Sequence, residues 1–190
     1  TASDANVATS NKYISAITLA DGSGLASNYA KPTWDYVHAP VTINARTVTL
    51  SASKTYDGTT SLTGYVTVNT GVGSETLTYT GATSNDAHVA TIAKYISAIT
   101  LVDGSNGGVA TNYKLPELNN ANAPVTITVK TLTSTISNTV VTKVYDGTTD
   151  ATFTPTYSFI GLVAGDSNAT LTNTGKIYNN AHVVGANIIT

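Results

Sequence analysis

The stretch S-K-T-Y-D-G-T-T, residues 53–60, returns almost unchanged as T-K-V-Y-D-G-T-T at 142–149, with Tyr-Asp-Gly-Thr-Thr identical in both. A Tyr and an Asp held together can be a catalytic pair, a metal contact or a turn with an anchor. Asp-Gly is a strong turn signal, because Gly accepts positive φ and Asp can bond the backbone two residues on. The threonines that follow bond locally and return the chain to an extended path. Tyr56, Asp57, Gly58, Thr59 and Thr60, with Tyr145, Asp146, Gly147, Thr148 and Thr149, are therefore read as a structural turn motif. Each Tyr would bury its ring near the start of a unit.

Other segments recur around this one. K-Y-I-S-A-I-T-L-A-D-G-S at 12–23 returns at 94–105 with one change, an offset of 82. A-P-V-T-I at 39–43 returns at 123–127, offset by 84, and Y-D-G-T-T is offset by 89. N-D-A-H-V-A-T at 85–91 has counterparts in S-D-A-N-V-A-T at 3–9 and N-N-A-H-V-V-G at 179–185. The period of about 82 to 94 residues is a small domain per repeat, not a solenoid rung. The order of segments divides the chain into the C-terminal part of a repeat (1–46), a complete repeat (47–130) and the N-terminal part of the next (131–190). The expectation is an excerpt from a longer array.

Alternating runs rich in Thr, Val, Ile and Tyr at 41–43, 47–50, 65–68 and 76–79 predict half-buried strands. Turn signals every 8 to 12 residues add a sandwich pattern. The fold class expected is all-β, in tandem immunoglobulin-like β-sandwich repeats. Val41, Ile43 and Ala45 share one strand parity, whereas Val48, Leu50 and Ala52 have the other. The next copy repeats the switch, with Val125, Ile127 and Val129 odd and Leu132 and Ile136 even. A parity switch moves the apolar side chains to the opposite face. Arg46–Thr47 and Lys130–Thr131 are read as the hand-over between units, with a β-bulge as the alternative.

Composition narrows the function. Net charge is −2, with 9 basic and 11 acidic residues and no basic cluster, which argues against nucleic acid and against a basic membrane-binding face. No apolar run approaches the length of a bilayer-spanning helix. The absence of Cys removes disulfides, thiol catalysis and thiolate metal sites.

Candidate chemistry is sparse. Asp57, Asp86, Asp103 and Asp146 are the Ca²⁺ candidates if turns from adjacent units meet, although each stands alone in sequence and calcium takes six to eight oxygens. No other cofactor is expected. His38, His88 and His182 are the three histidines, and His88 is replaced by Asn6 in the first copy, poor behaviour for a general base. No nucleophile motif accompanies them, so no catalytic residue is assigned and no enzyme is expected. Trp34 and Tyr36 could stack on a sugar, with core filling as the blander account. Lys54 or Lys143 could form an isopeptide bond with an Asn. Asn168-Ala169-Thr170 is a glycosylation sequon.

The motifs K-x-Y-D-G-T-T, "VAGDS" at 163–167, "NNAHVVG" at 179–185, "NYKLP" at 112–116, and "INARTVT" and "ITVKTLT" at the junctions together resemble the YDG repeat of bacterial haemagglutinin-like and autotransporter-type surface adhesins. The complete repeat departs from that pattern, carrying "NTGVGSE" at 69–75 in place of an AGD element, which reads as a variable loop. The resemblance implies an extracellular location and a structural role in a secreted adhesin stalk, fibre or biofilm-matrix filament. Neighbouring repeats or identical chains would be its partners, through strand addition between units. A module binding a host glycan or protein near Trp34 is the alternative. The family brings no catalytic residues.

Overall fold

The computed structural model describes residues 1–137, 140–154, 156–167, 169–170 and 176–189. Asn168 of the sequon lies outside them. Contacts divide the chain into two compact units, Thr1–Thr55 with Thr59–Thr128, and Tyr56–Gly58 with Val129–Thr190. The chain is mostly β, in several small sheets, with two single-turn 3₁₀ segments at Ala26–Asn28 and Ala110–Asn112. Among the described residues no helix is long and apolar enough to cross a membrane.

The first unit holds seven strands: β1 (Arg46–Thr47), β2 (Thr49–Thr55), β3 (Val66–Asn69), β4 (Leu77–Ser84), β5 (Ile96–Asp103), β6 (Tyr113–Lys114) and β7 (Val125–Thr128). β2 is central to a three-stranded sheet, antiparallel to β3 and parallel to β7, with Ala52 opposite both Val66 and Val125. β4 and β5 form an antiparallel hairpin whose register shifts between Thr80 and Ser84, and β1 pairs in parallel with β6. Period-2 alternation explains the burial of β2, where Leu50, Ala52 and Lys54 turn inward while Thr49, Ser51, Ser53 and Thr55 are exposed. Val125 and Ile127 meet them from β7, and Val48, Leu62, Leu77, Ile96, Ile99 and Ala123 complete the core. Val129, expected to continue the odd-parity face, is exposed because β7 ends at Thr128.

The switch at Arg46–Thr47 sits in β1, directly before β2. The first partial copy reproduces some bonds of the complete repeat. Ile14 N–H donates to Ala39 O and Val41 N–H to Lys12 O, both at 2.9 Å, as Ile96 donates to Ala123 O at 2.9 Å and Val125 to Lys94 O at 3.0 Å. Yet the expected strand at 41–43 forms no ladder, and neither does the first copy of K-Y-I-S-A-I-T-L. In the complete repeat these segments pair with β2 and β4, and residues 1–46 contain no counterpart of β2 and only the last two residues of β4, where Ala2 bridges Ile14 as Ser84 pairs with Ile96. Asn112 ties this copy into the first unit, accepting from Val7 N–H at 2.8 Å and donating to Asn6 Oδ1 at 2.9 Å.

In the second unit β8 (Thr133–Ile136) pairs antiparallel with β9 (Tyr157–Ile160), as β2 pairs with β3. The Asp150–Ile177 bridge mirrors Ser61–Thr83, and Ala151 donates to Lys176 O at 2.7 Å as Leu62 does to Ala82 O at 2.9 Å. None of the four β8 residues is buried, and Ile136 is exposed where parity put it in a core. With a single partner strand, β8 has too little cover to bury a face.

Leu62 and Ile96 are fully buried, so Leu62→Ala or Ile96→Ala is expected to cost roughly 2–5 kcal/mol through lost transfer energy and a residual cavity. Val129→Ala should stay within about 0.5 kcal/mol. Urea unfolding of the three variants measures both.

Candidate functional site

Lys54 stands on the inward parity of β2 and points into the Y-D-G-T-T turn. Its Nζ donates to Thr59 O at 2.7 Å, Thr59 Oγ1 at 3.2 Å and Ser61 O at 2.8 Å. Lys143 repeats the arrangement, donating to Thr148 O at 2.8 Å, Thr148 Oγ1 at 2.9 Å and Asp146 Oδ1 at 2.8 Å. Burying an ammonium is tolerable when oxygens replace its water shell, and these turns supply that shell from backbone carbonyls. Gly58 and Gly147 hold the same left-handed conformation, φ +78° and +79°, which favours Gly because it lacks a Cβ. Thr60 O and Thr149 O then accept from Ser84 N–H and Tyr178 N–H at 2.8 and 2.7 Å, returning each turn to the sheet.

The Asp146 carboxylate also accepts from Thr148 N–H at 2.9 Å. Its hydrogen bond from Lys143, then those from Thr148, hold its pKa down to about 2. Neither tyrosine of the motif is buried as expected. Tyr56 is half-buried and Tyr145 is exposed. Within the second unit, Tyr56 Oη donates to Asp166 Oδ2 at 3.1 Å, which raises the phenol pKa, and Tyr145 stacks on His182 with ring centroids 6.5 Å apart.

The N-D-A-H-V-A-T segment forms the same side-chain-capped turn in all three copies. Asp4 Oδ1 accepts from Asn6 N–H at 2.6 Å, Asp86 Oδ1 from His88 N–H at 2.6 Å, and Asn180 Oδ1 from His182 N–H at 2.8 Å. An Asx cap needs only an acceptor oxygen, which explains why Asp and Asn interchange. These backbone bonds are the main cause holding the Asp4 and Asp86 carboxyls below their ordinary value. A buried lysine closes the turn from behind: Lys12 reaches Val7 O at 3.2 Å and Thr9 O, and Lys94 reaches Val89 O at 3.0 Å and Thr91 O.

The remaining candidates are also spent in turns. Asp103 Oδ1 accepts from Ala110 N–H at 2.7 Å, as Asp21 does from Ala26 N–H at 2.6 Å. Among the described residues no three acidic or histidine side chains converge on a metal position. His38 Nδ1 lies 2.8 Å from Asp35 and His88 Nδ1 lies 3.1 Å from Asp86, both on the surface. Trp34 is half-buried, and so is Leu118, 84 positions on at the equivalent point of the next copy. Asp35 and Asn119 cap the following turn alike, accepting from Val37 and His38 N–H and from Ala121 and Asn122 N–H. Tyr36 beside Trp34 is exposed.

Two features escaped the sequence reading. Four lysines act as turn clamps, although Lys54 lies on the inward parity of an alternating strand, a signal open to inspection. The other is the "NTGVGSE" loop, which is not loosely held: Tyr113 Oη donates to Glu75 Oε2 at 2.6 Å, and Thr70 Oγ1 donates to Glu75 O at 2.9 Å. Burial, and then that carboxylate, raise the Tyr113 pKa. The loop packs so closely on the next turn that a Cβ at Gly104 or Gly108 would overlap the Thr76 carbonyl.

No family model matches the chain, and neither a curated protein nor a solved structure matches it.

Lys54→Met keeps most of the apolar stem of the side chain and removes its donors, leaving the Thr59 and Ser61 carbonyls short of the Nζ that bonds them. A loss of roughly 1–3 kcal/mol is expected in urea unfolding, with faster amide exchange at Thr60 and Leu62. For Asp146, the folded pKa lies below the ordinary 3.8, so its stabilisation is present above pH 4 and is lost as pH falls toward about 2. Carboxyl NMR should place the Asp146 midpoint near 2, and Lys143→Ala should move it back up toward 3.8.

Proposed function

We propose that the chain is a structural repeat segment of a secreted bacterial surface protein of the YDG-repeat kind, building an extracellular adhesin stalk, fibre or biofilm-matrix filament. The observation that carries this reading is that the repeated polar residues are engaged in folding. Lys54 and Lys143 clamp Y-D-G-T-T turns, and Asp4, Asp86 and Asn180 cap equivalent turns in three copies. Residues repeated for catalysis or ligand capture would converge on a shared site, whereas these each close their own loop. Immunoglobulin-like sandwich units suit the role, because short connections between small β units restrict bending. Neighbouring repeats or identical chains are then the partners, and no cofactor is needed.

A glycan- or protein-binding module is favoured by one observation. Tyr36 is exposed beside Trp34, and its counterpart Asn120 cannot stack, so this surface is particular to the first copy.

Small-angle scattering and a glycan array separate the two. A stalk segment should scatter as an elongated particle and leave the array blank. Specific glycan binding abolished by Trp34→Ala would replace the structural reading with the binding module.

A further inference from the structure

The complete repeat carries one dipeptide that the first copy lacks. A-D-G-S-G-L-A-S-N-Y at 20–29 aligns with V-D-G-S-N-G-G-V-A-T-N-Y at 102–113, and the inserted pair, Asn106-Gly107, accounts for the offset changing from 82 to 84. It is also the only Asn-Gly in the chain. The capping carboxylate spans the insertion, since Asp21 bonds the N–H five residues on and Asp103 the one seven residues on.

The inserted pair makes a type I′ turn. Asn106 and Gly107 have φ of +55° and +89°, and Gly108 N–H donates to Ser105 O at 3.1 Å. Both central residues are exposed. Asn106 Nδ2 donates to Ser74 O at 3.1 Å and so ties this turn to the loop at 69–75. Beside that bond, Thr76 N–H donates to Ser105 O and Ser105 N–H to Thr76 Oγ1, both at 3.1 Å. Gly107 N–H, by contrast, has no partner among the described residues.

These features suit one reaction. A backbone nitrogen with no hydrogen-bond partner, on a residue with no Cβ, can approach the side-chain carbonyl of the residue before it. We propose that Asn106-Gly107 is a site of spontaneous deamidation, and that the reaction unties the 69–75 loop from the turn. Gly107 N gives up its proton to solvent and attacks Asn106 Cγ. The N–Cγ bond forms, the Cγ–Nδ2 bond breaks and ammonia leaves, giving a five-membered succinimide. Water then opens either imide bond and leaves Asp or isoaspartate at position 106. The Asp-Gly pairs of the chain are poorer sites, because an ionised carboxylate resists such attack. Asp146 is held in that form by Lys143 and Thr148.

Both products break the contact with the loop. Each replaces the Nδ2 donor with a carboxylate oxygen, which has no proton to give the Ser74 carbonyl. The new charge also arises near a carboxylate, since a Cβ on Gly107 would stand 3.9 Å from Glu75 Cγ and 4.0 Å from its Oε1. Isoaspartate in addition lengthens the backbone by one carbon, in a turn pinned on both sides. Neither Gly104 nor Gly108 has room even for a Cβ beside the Thr76 carbonyl.

Ageing the 190-residue chain in mildly alkaline and in mildly acidic buffer, followed by peptide mapping with mass spectrometry, tests the site. The expected result is a gain of about 1 Da, confined at first to the peptide that holds Asn106. The gain should be faster in alkali, where Gly107 N loses its proton more readily, and isoaspartyl methyltransferase should label the same peptide. Asn106→Gly suits the left-handed turn position and should not gain the mass. Asn106→Gln, which would have to close a six-membered ring, is the second block should the glycine disturb the fold. In the aged chain, amide exchange at Thr76 should quicken roughly two- to tenfold, as it should in fresh Asn106→Asp. No gain at Asn106, or an earlier gain at another Asn, would overturn the site. Deamidation that leaves exchange at Thr76 unchanged would overturn the release of the loop.

Discussion

Parallel strands cannot be joined by a tight turn, so the ladder between Thr49–Thr55 and Val125–Thr128 forces the chain between them to run out and back. The β4–β5 hairpin is the middle of that excursion, and its return leg delivers Tyr95 to a bridge with Pro124 just before β7 begins. The beginning and end of one repeat are thus neighbours in one sheet. Leu50 and Ala52 from one strand, and Val125 and Ile127 from the other, bury against a common core. Where the two strands are both present the repeat is closed. Where either is absent, as around Val41–Ala45 and Val141–Val144, the same sequence pattern leaves exposed or half-buried apolar residues.

The lysines follow from that closure. A core strand with alternating burial has one inward position left at Lys54, next to a turn whose carbonyls face back toward the sheet. An aliphatic residue there would leave those carbonyls without donors, and a free ammonium would be costly to bury. Placed together, each satisfies the other. Lys12 and Lys94 do the same from behind the N-D-A-H-V-A-T turn. Low charge overall and a few buried cations are therefore compatible, since these lysines serve as multiple hydrogen-bond donors to the backbone.

Much of this was legible in the sequence. The Asp-Gly turns, the strands expected at 65–68 and 76–79 and found as Val66–Asn69 and the first half of Leu77–Ser84, and the parity switch before Leu50 follow from local chemistry: positive φ at Gly, period-2 alternation, and acceptor oxygens placed two residues before an N–H. The candidate sites were less legible. Asp86 and Asp103 read as turn residues with calcium as the lesser alternative, and the partners that each carboxylate accepts from, His88 N–H and Ala110 N–H, are seen only in the fold. Trp34 read as a ligand platform or as core filling, and it is half-buried as Leu118 is at the equivalent position.

The sequence by itself determined the repeat, its period, the turn chemistry and the β character, because each depends on residues within a few positions of one another or on plain identity between copies. Tertiary structure decided which copies of a segment become strands. K-Y-I-S-A-I-T-L is a strand at 96–103 and not at 14–21, and A-P-V-T-I a strand at 125–128 and not at 41–45, with nearly identical residues in each pair. A strand is stabilised by the partner that satisfies its backbone, and the partner lies some seventy residues away for β7, beyond the reach of any local pattern.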